Sequence, residues 1–223
     1  MTSPPSRRQH HYPPAEERLN VLSHAAGLLL GVVGFIFLLL RAWYHGNAWH
    51  VTSFAIFGGS LVVLYAASTI YHSSRDELRR ARMRKFDHAA IYVLIAGTYT
   101  PFTLVTLNGW VGWTLFGVTW GMAAVGITLK LFYTGRYDLL STLMYVFMGW
   151  VIIFAIKPLV EVFPGDGMVW LVSGGIAYTL GAVFYSIPRL PFGHAIFHLL
   201  VLGGSACHFI AVYFFVLPTS AIA

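Results

Sequence analysis

Long apolar runs alternate with short polar breaks along nearly the whole chain. The runs cover residues 19–42, 51–72, 86–107, 110–132, 139–156, 168–187 and 193–217. Each comes near or exceeds the roughly 20 apolar residues that a helix needs to cross a bilayer core of about 30 Å. They are continuous rather than strictly alternating, so the pattern predicts helices and not the strands of a barrel. The expected architecture is all-α: a polytopic membrane protein, with residues 19–223 forming one seven-helix transmembrane bundle. Residues 1–18 are rich in Pro, Ser, Arg and His and read as a disordered tail. The apolar run behind that tail is long and lacks a small-residue cleavage site. It is therefore expected to be a retained first helix and not a secretory signal.

Composition agrees with this reading. With 57% hydrophobic and 10% charged residues, the chain is unlike an ordinary soluble domain. The charge of +6 is unevenly spread. Arg7, Arg8, Arg18, Arg75, Arg79, Arg80, Arg82, Arg84, Lys85, Lys130, Arg136 and Arg189 fall on one side of the alternating spans; only Arg41 and Lys157 fall on the other. The positive-inside rule then places the N-terminus in the cytoplasm and the C-terminus outside. The basic balance is a topology signal, and no nucleic-acid partner is implied. The segment 75–85 also suits anionic lipid headgroups.

The outer connections, 44–50, 108–109 and 158–167, are short. Trp43, Trp49, Trp110, Trp113 and Trp170 lie near the outer boundary, as an aromatic belt does. Gly27 with Gly31, Gly117 with Gly121, and Gly203 with Gly204 predict close helix packing. The single cysteine, Cys207, excludes a disulfide framework and a cysteine zinc site, which leaves His and carboxylate as metal donors.

With that topology, several ionisable groups converge on the cytoplasmic leaflet. His72 ends the second run, Asp87 and His88 open the third, His194 and His198 open the seventh, and Asn20 and His24 open the first. Such groups are costly in a membrane and mark functional sites by default. His194 and His198 are only about 40° apart around a helix and about 6 Å apart in rise, a spacing that suits two ligands on one metal. Ser68 shares a helix face with His72. A site of His72, His194 and His198 would give three protein ligands and an open position, with Asp87 and Ser68 nearby to hold water or orient a ligand. Each group also has a plain structural reading. A histidine at a helix end reaches the headgroups, Asp87 caps the third helix, and Ser68 bonds back to its own helix. His208, about 15 Å deeper than His198, joins two helices or lines a polar pathway. Spacing alone leaves both readings open.

The pieces Glu17-x2-Asn20-x3-His24, Ser68-x3-His72, Asp87-His88, Ala96-Gly97-Thr98-Tyr99-Thr100-Pro101-Phe102 and His194-x3-His198, with His208 downstream, occur in that order across the spans. In this the chain resembles the hemolysin III family and, through it, the progestin and adipoQ receptor family. The resemblance covers nearly everything after residue 15. It implies an intramembrane zinc near the cytoplasmic side, held by His72, His194 and His198, with Asp87 contacting water on the metal. His88 stands where receptor members commonly have Tyr, as in bacterial-type members. That implies a bacterial inner (plasma) membrane and gives no ground for hormone reception.

Three functions follow as expectations. The wider superfamily, which includes alkaline ceramidases, implies a zinc hydrolase of lipid amides or esters, with Asp87 as general base and Ser68 supporting it. The alternative is a non-enzymatic sensor or regulator of membrane lipids, with zinc as a structural pin. The third, a pore-forming cytolysin, rests on the family name, and the intramembrane charges form no ring suited to a channel. In each case the partners are membrane lipids.

Overall fold

The computed structural model describes residues 12–134, 138–187 and 189–217. Among them, seven helices are long and apolar enough to cross a membrane: α1 Pro14–His45, α2 Ala48–Ser73, α3 Glu77–Leu107, α4 Gly109–Tyr133, α5 Leu139–Val162, α6 Gly165–Ser186 and α7 Gly193–Val216. No strand occurs among the described residues. Successive helices run up and down, so α1, α3, α5 and α7 begin at the end of the bundle where α2, α4 and α6 finish. α1 packs on α2 and α7, α2 on α3, α3 on α4, and α6 on α7.

The inward face of α1 shows how sequence sets this arrangement. Glu16, Asn20, His24, Gly27, Gly31, Gly34, Leu38 and Ala42 are buried, recurring every three or four residues, which is one face of a helix. The stripe is polar at the first end, glycine in the middle and aliphatic at the far end. A Cβ on Gly27 would lie 2.6 Å from the Tyr65 ring of α2, so only glycine permits this approach. Close backbone packing of this kind joins helices in lipid, where burial of apolar surface offers little drive. The other face of α1 exposes Leu22, Leu29, Leu30 and Phe37 to the bilayer. The far half of the core is built from Leu38, Phe54, Phe57, Leu61, Phe102, Phe163 and Val212.

Several boundaries differ from the sequence expectation. α1 starts at Pro14, with proline in its first turn, where its fixed φ and missing N–H are tolerated. Residues 14–18 are therefore helical rather than part of a disordered tail, and residues 1–11 lie outside the described residues. α3 begins at Glu77, not at residue 86. Asp76 is its N-cap, its carboxylate accepting from Arg79 N at 2.7 Å. The basic segment expected as a connection is mostly helix because Leu, Arg, Ala, Met and Lys are strong helix formers. Asp87 consequently lies well inside α3 and does not cap it.

α5 is broken. It runs as α-helix to Gly149, as 3₁₀-helix over Val151–Ala155 and as α-helix again over Ile156–Val162. It thus extends beyond residue 156 into the expected connection at 158–167. Tyr99 bridges the break: its hydroxyl donates to Gly149 O at 2.8 Å and accepts from Ile152 N at 2.9 Å. Gly117, Gly121 and Gly203 would meet nothing within 4 Å, so these three do not serve close packing. Gly204 does, its Cβ position lying 3.0 Å from the Tyr178 ring.

Candidate metal centre

His72 is the penultimate residue of α2, and His194 and His198 occupy the first two turns of α7. All three are buried. His72 Nε2 and His194 Nε2 are 3.1 Å apart. One ring nitrogen of each histidine lies within 4.8 Å of those of the other two. Tetrahedral zinc, with Zn–N of about 2.0–2.1 Å, separates its ligand nitrogens by about 3.3 Å. The His72–His194 pair is near that spacing, and three imidazoles gathered within 4.8 Å can hold one metal ion and leave a fourth position open.

The outer nitrogens of His72 and His198 point to the same use, and α1 supplies their partners; His194 Nδ1 has no hydrogen-bond partner among the described residues. His72 Nδ1 lies 3.2 Å from Glu17 Oε2. His198 Nδ1 lies 3.3 Å from the main-chain oxygen of Asn20, with Ser23 Oγ at 3.4 Å. A carboxylate and a carbonyl only accept, so it is an Nδ1–H that bonds to each, and a neutral ring in that form keeps its lone pair at Nε2. Metal-binding histidines are typically held in this way. Glu17 is held in turn by Arg80 of α3, with Nη1 2.6 Å from Oε1.

Glu16, the neighbouring residue, solves a different problem. The residue preceding α7 is Phe192, which has no side-chain oxygen to cap the helix. The exposed N–H of His194 instead donates to Glu16 Oε1 at 3.1 Å. A carboxylate there satisfies an orphan donor and complements the positive end of the helix dipole. It also fixes the first turn of α7, the turn that carries His194.

The remaining candidates fall as follows. Asp87 is buried and lies near His72. Ser68 is its neighbour, although the Ser68 hydroxyl has no partner within hydrogen-bonding geometry. His24 does not reach toward the headgroups. It stacks on His198 with ring centroids 3.5 Å apart and planes at 10°, and neither of its nitrogens has a partner. His208 joins two helices, its Nε2 donating to Leu171 O of α6 at 3.1 Å. Tyr12 stacks on His194 at 4.5 Å between centroids and covers the cluster from outside. Burial and nearby phenols push the Tyr12 phenol above its ordinary range, so it stays protonated.

A cavity of about 140 Å³ adjoins the cluster. His24, Asp87, His88, His194 and His198 line it near the metal ligands, and Leu94, Ile95, Val201, Tyr178 and His208 line it more deeply. Sequence reasoning brought together His72, His194, His198 and Asp87 but assigned no part to Glu16, Glu17, Arg80, Tyr12 or the Asn20 carbonyl. The spacing of Glu17, Asn20 and His24 already put them on one helix face. No spacing rule names the partner across a helix interface.

Comparison with known proteins bears on the whole chain. The family model described as "Haemolysin-III related" matches residues 13–209. The chain is 47% identical over 206 residues to "Hemolysin-3" of Bacillus cereus, covering 92% of this chain and 94% of that protein. It is 46% identical over 200 residues to "Hemolysin-3 homolog" of Bacillus subtilis (strain 168), covering 90% and 94%. It is 28% identical over 204 residues to "Monocyte to macrophage differentiation factor" of Homo sapiens, covering 89% and 83%. Seven apolar helices and bacterial relatives together support a multi-pass integral protein of the bacterial plasma membrane. A match of this extent, in a chain whose helices gather three histidines at one end, makes it a member of the haemolysin-III related family.

Proposed function

We propose that this protein is a zinc-dependent hydrolase of lipid amides or esters, with its histidine cluster in the cytoplasmic leaflet. The observation that carries the proposal is that Asp87, His194 and His198 line one largely apolar cavity. His72, His194 and His198 would hold the ion. Zinc bound there would polarise the scissile carbonyl and activate water as nucleophile. Asp87 takes the proton from the attacking water and returns it to the leaving amine or alcohol. Ser68, beside that carboxylate, has a free hydroxyl placed to donate to it once water and substrate are bound. The apolar walls bind the acyl chain and exclude bulk water. His24, with both nitrogens unpartnered, offers a hydrogen bond to the polar part of the substrate.

The test compares hydrolysis of an N-acyl sphingoid base and an acyl ester in detergent by wild type, Asp87→Asn and His194→Ala. Asp87→Asn should keep its zinc and lose about 10²–10⁴-fold in turnover. Equal turnover in all three proteins sinks the proposal. One observation favours a second reading, a non-enzymatic lipid sensor: the three ligands come from α2 and α7, which the ion would pin together. Under that reading Asp87→Asn leaves cellular lipid regulation intact and His72→Ala abolishes it.

A further inference from the structure

We infer that Glu17 is the positioning residue of the metal site: from α1 its carboxylate sets the tautomer of His72 and aims Nε2 at the ion. The inference rests on the reading of the histidine triad as a metal centre.

A neutral imidazole carries one proton and places it on either nitrogen. Only the Nδ1–H form of His72 presents a lone pair at Nε2, the nitrogen that faces His194 at 3.1 Å. Glu17 Oε2, 3.2 Å from Nδ1, selects that form because a carboxylate accepts and cannot donate. The same bond holds the plane of the ring.

Two features separate this from an ordinary ion pair between Glu17 and Arg80. The first is the division of the carboxylate: Oε1 faces Arg80, while Oε2 faces His72 and the Asn20 amide, which donates at 3.5 Å. Arg80 thus holds one oxygen and leaves the other to the histidine. The second is how Arg80 itself is placed. Its guanidinium lies over the Tyr71 ring at 4.8 Å, and Nη1 donates to His72 O at 3.4 Å. Arg80 therefore grips both the backbone of the ligand residue and the carboxylate that orients its ring. Three helices, α1, α2 and α3, meet on one imidazole that a salt bridge alone would not require.

The experiment is a zinc titration of the full chain in detergent against a fluorescent chelator, with metal-free melting measured alongside. Wild type should bind one zinc per chain, and His72→Ala should lose that binding. Glu17→Gln should bind about ten- to a hundredfold more weakly, with metal-free melting close to wild type. Equal affinity in wild type and Glu17→Gln overturns the role of Glu17 while leaving the triad as a metal site. A wild type that binds no zinc overturns the metal reading itself and this inference with it. Should Glu17→Gln fail to fold, ¹⁵N spectra of the metal-free wild-type imidazoles decide, with His72 assigned by its loss in His72→Gln. The Nδ1–H tautomer at His72 is expected, and the Nε2–H tautomer overturns the inference.

Discussion

Replacing His198 with glutamine should remove most of the stability that zinc confers while leaving the metal-free fold almost unchanged. His198 is 1% exposed, and its Nδ1 donates to Asn20 O at 3.3 Å. Glutamine is of similar size, and its amide can make that bond again. Loss of the bond altogether would cost about 0.5–1.5 kcal/mol. An ion that binds only the folded state stabilises by RT ln(1 + [L]/Kd), or about 2.7 kcal/mol at a hundredfold excess over Kd. For a chain of this size that is about 5–11 °C in Tm. Losing one of three donors weakens Kd by about a hundredfold or more, so the same free zinc would give the variant about 0.4 kcal/mol or less, near 1 °C. The assay is thermal unfolding in detergent by circular dichroism, once in chelator and once in buffered free zinc. An equal zinc-induced rise in both proteins would place the stabilising ion away from the triad and refute the reasoning. A zinc effect in neither protein would refute the site.

Tyr99→Phe removes the hydroxyl that serves both Gly149 O and Ile152 N at the break in α5; the lost bonds should cost about 1–3 kcal/mol in chemical or thermal unfolding, and an unchanged Tm would mean the break satisfies itself. Gly112→Ala drives a Cβ into the backbone oxygen of Thr103, which cannot swing aside; poor folding yield is expected, a loss of order 3 kcal/mol, and normal yield with normal Tm would contradict the tight approach of α3 and α4. A fusion of alkaline phosphatase to the C-terminus should be active and one of green fluorescent protein dark, as the charge bias requires; the reverse pair would invert the assigned orientation. Tyr12→Ala uncovers His194, from which the phenol ring centroid is 4.5 Å distant; zinc should leave the variant faster in chelator-jump kinetics, and an unchanged rate would show that the stack does not guard the site.

Much of the site was legible because depth in a membrane is a one-dimensional quantity. Run length and charge bias place His72, Asp87, His194 and His198 at one end of their helices, and a period of 3.6 puts His194 above His198 on a single face. The same period aligns Glu17, Asn20 and His24. Two local readings failed for local reasons. Asp87 was assigned to a helix start because hydropathy sees only the apolar part of α3, whereas Asp76 and good helix formers extend the helix into water. Gly117 and Gly121 have the spacing of a packing motif, yet nothing lies opposite them.

Sequence by itself determined the seven spans, the end of the bundle at which the polar groups gather and the stripe of α1 that turns inward. Tertiary structure alone decided what that stripe meets. Glu17 finds His72, Glu16 finds the first turn of α7, and the Asn20 carbonyl finds His198, because Gly27 lets α1 close on Tyr65 and so sets its distance and rotation against α2. Periodicity fixes the angle of a side chain about its own helix. Only the packing of one helix on another fixes which atoms face each other across the gap, and the orientation of a ligand histidine depends on those atoms.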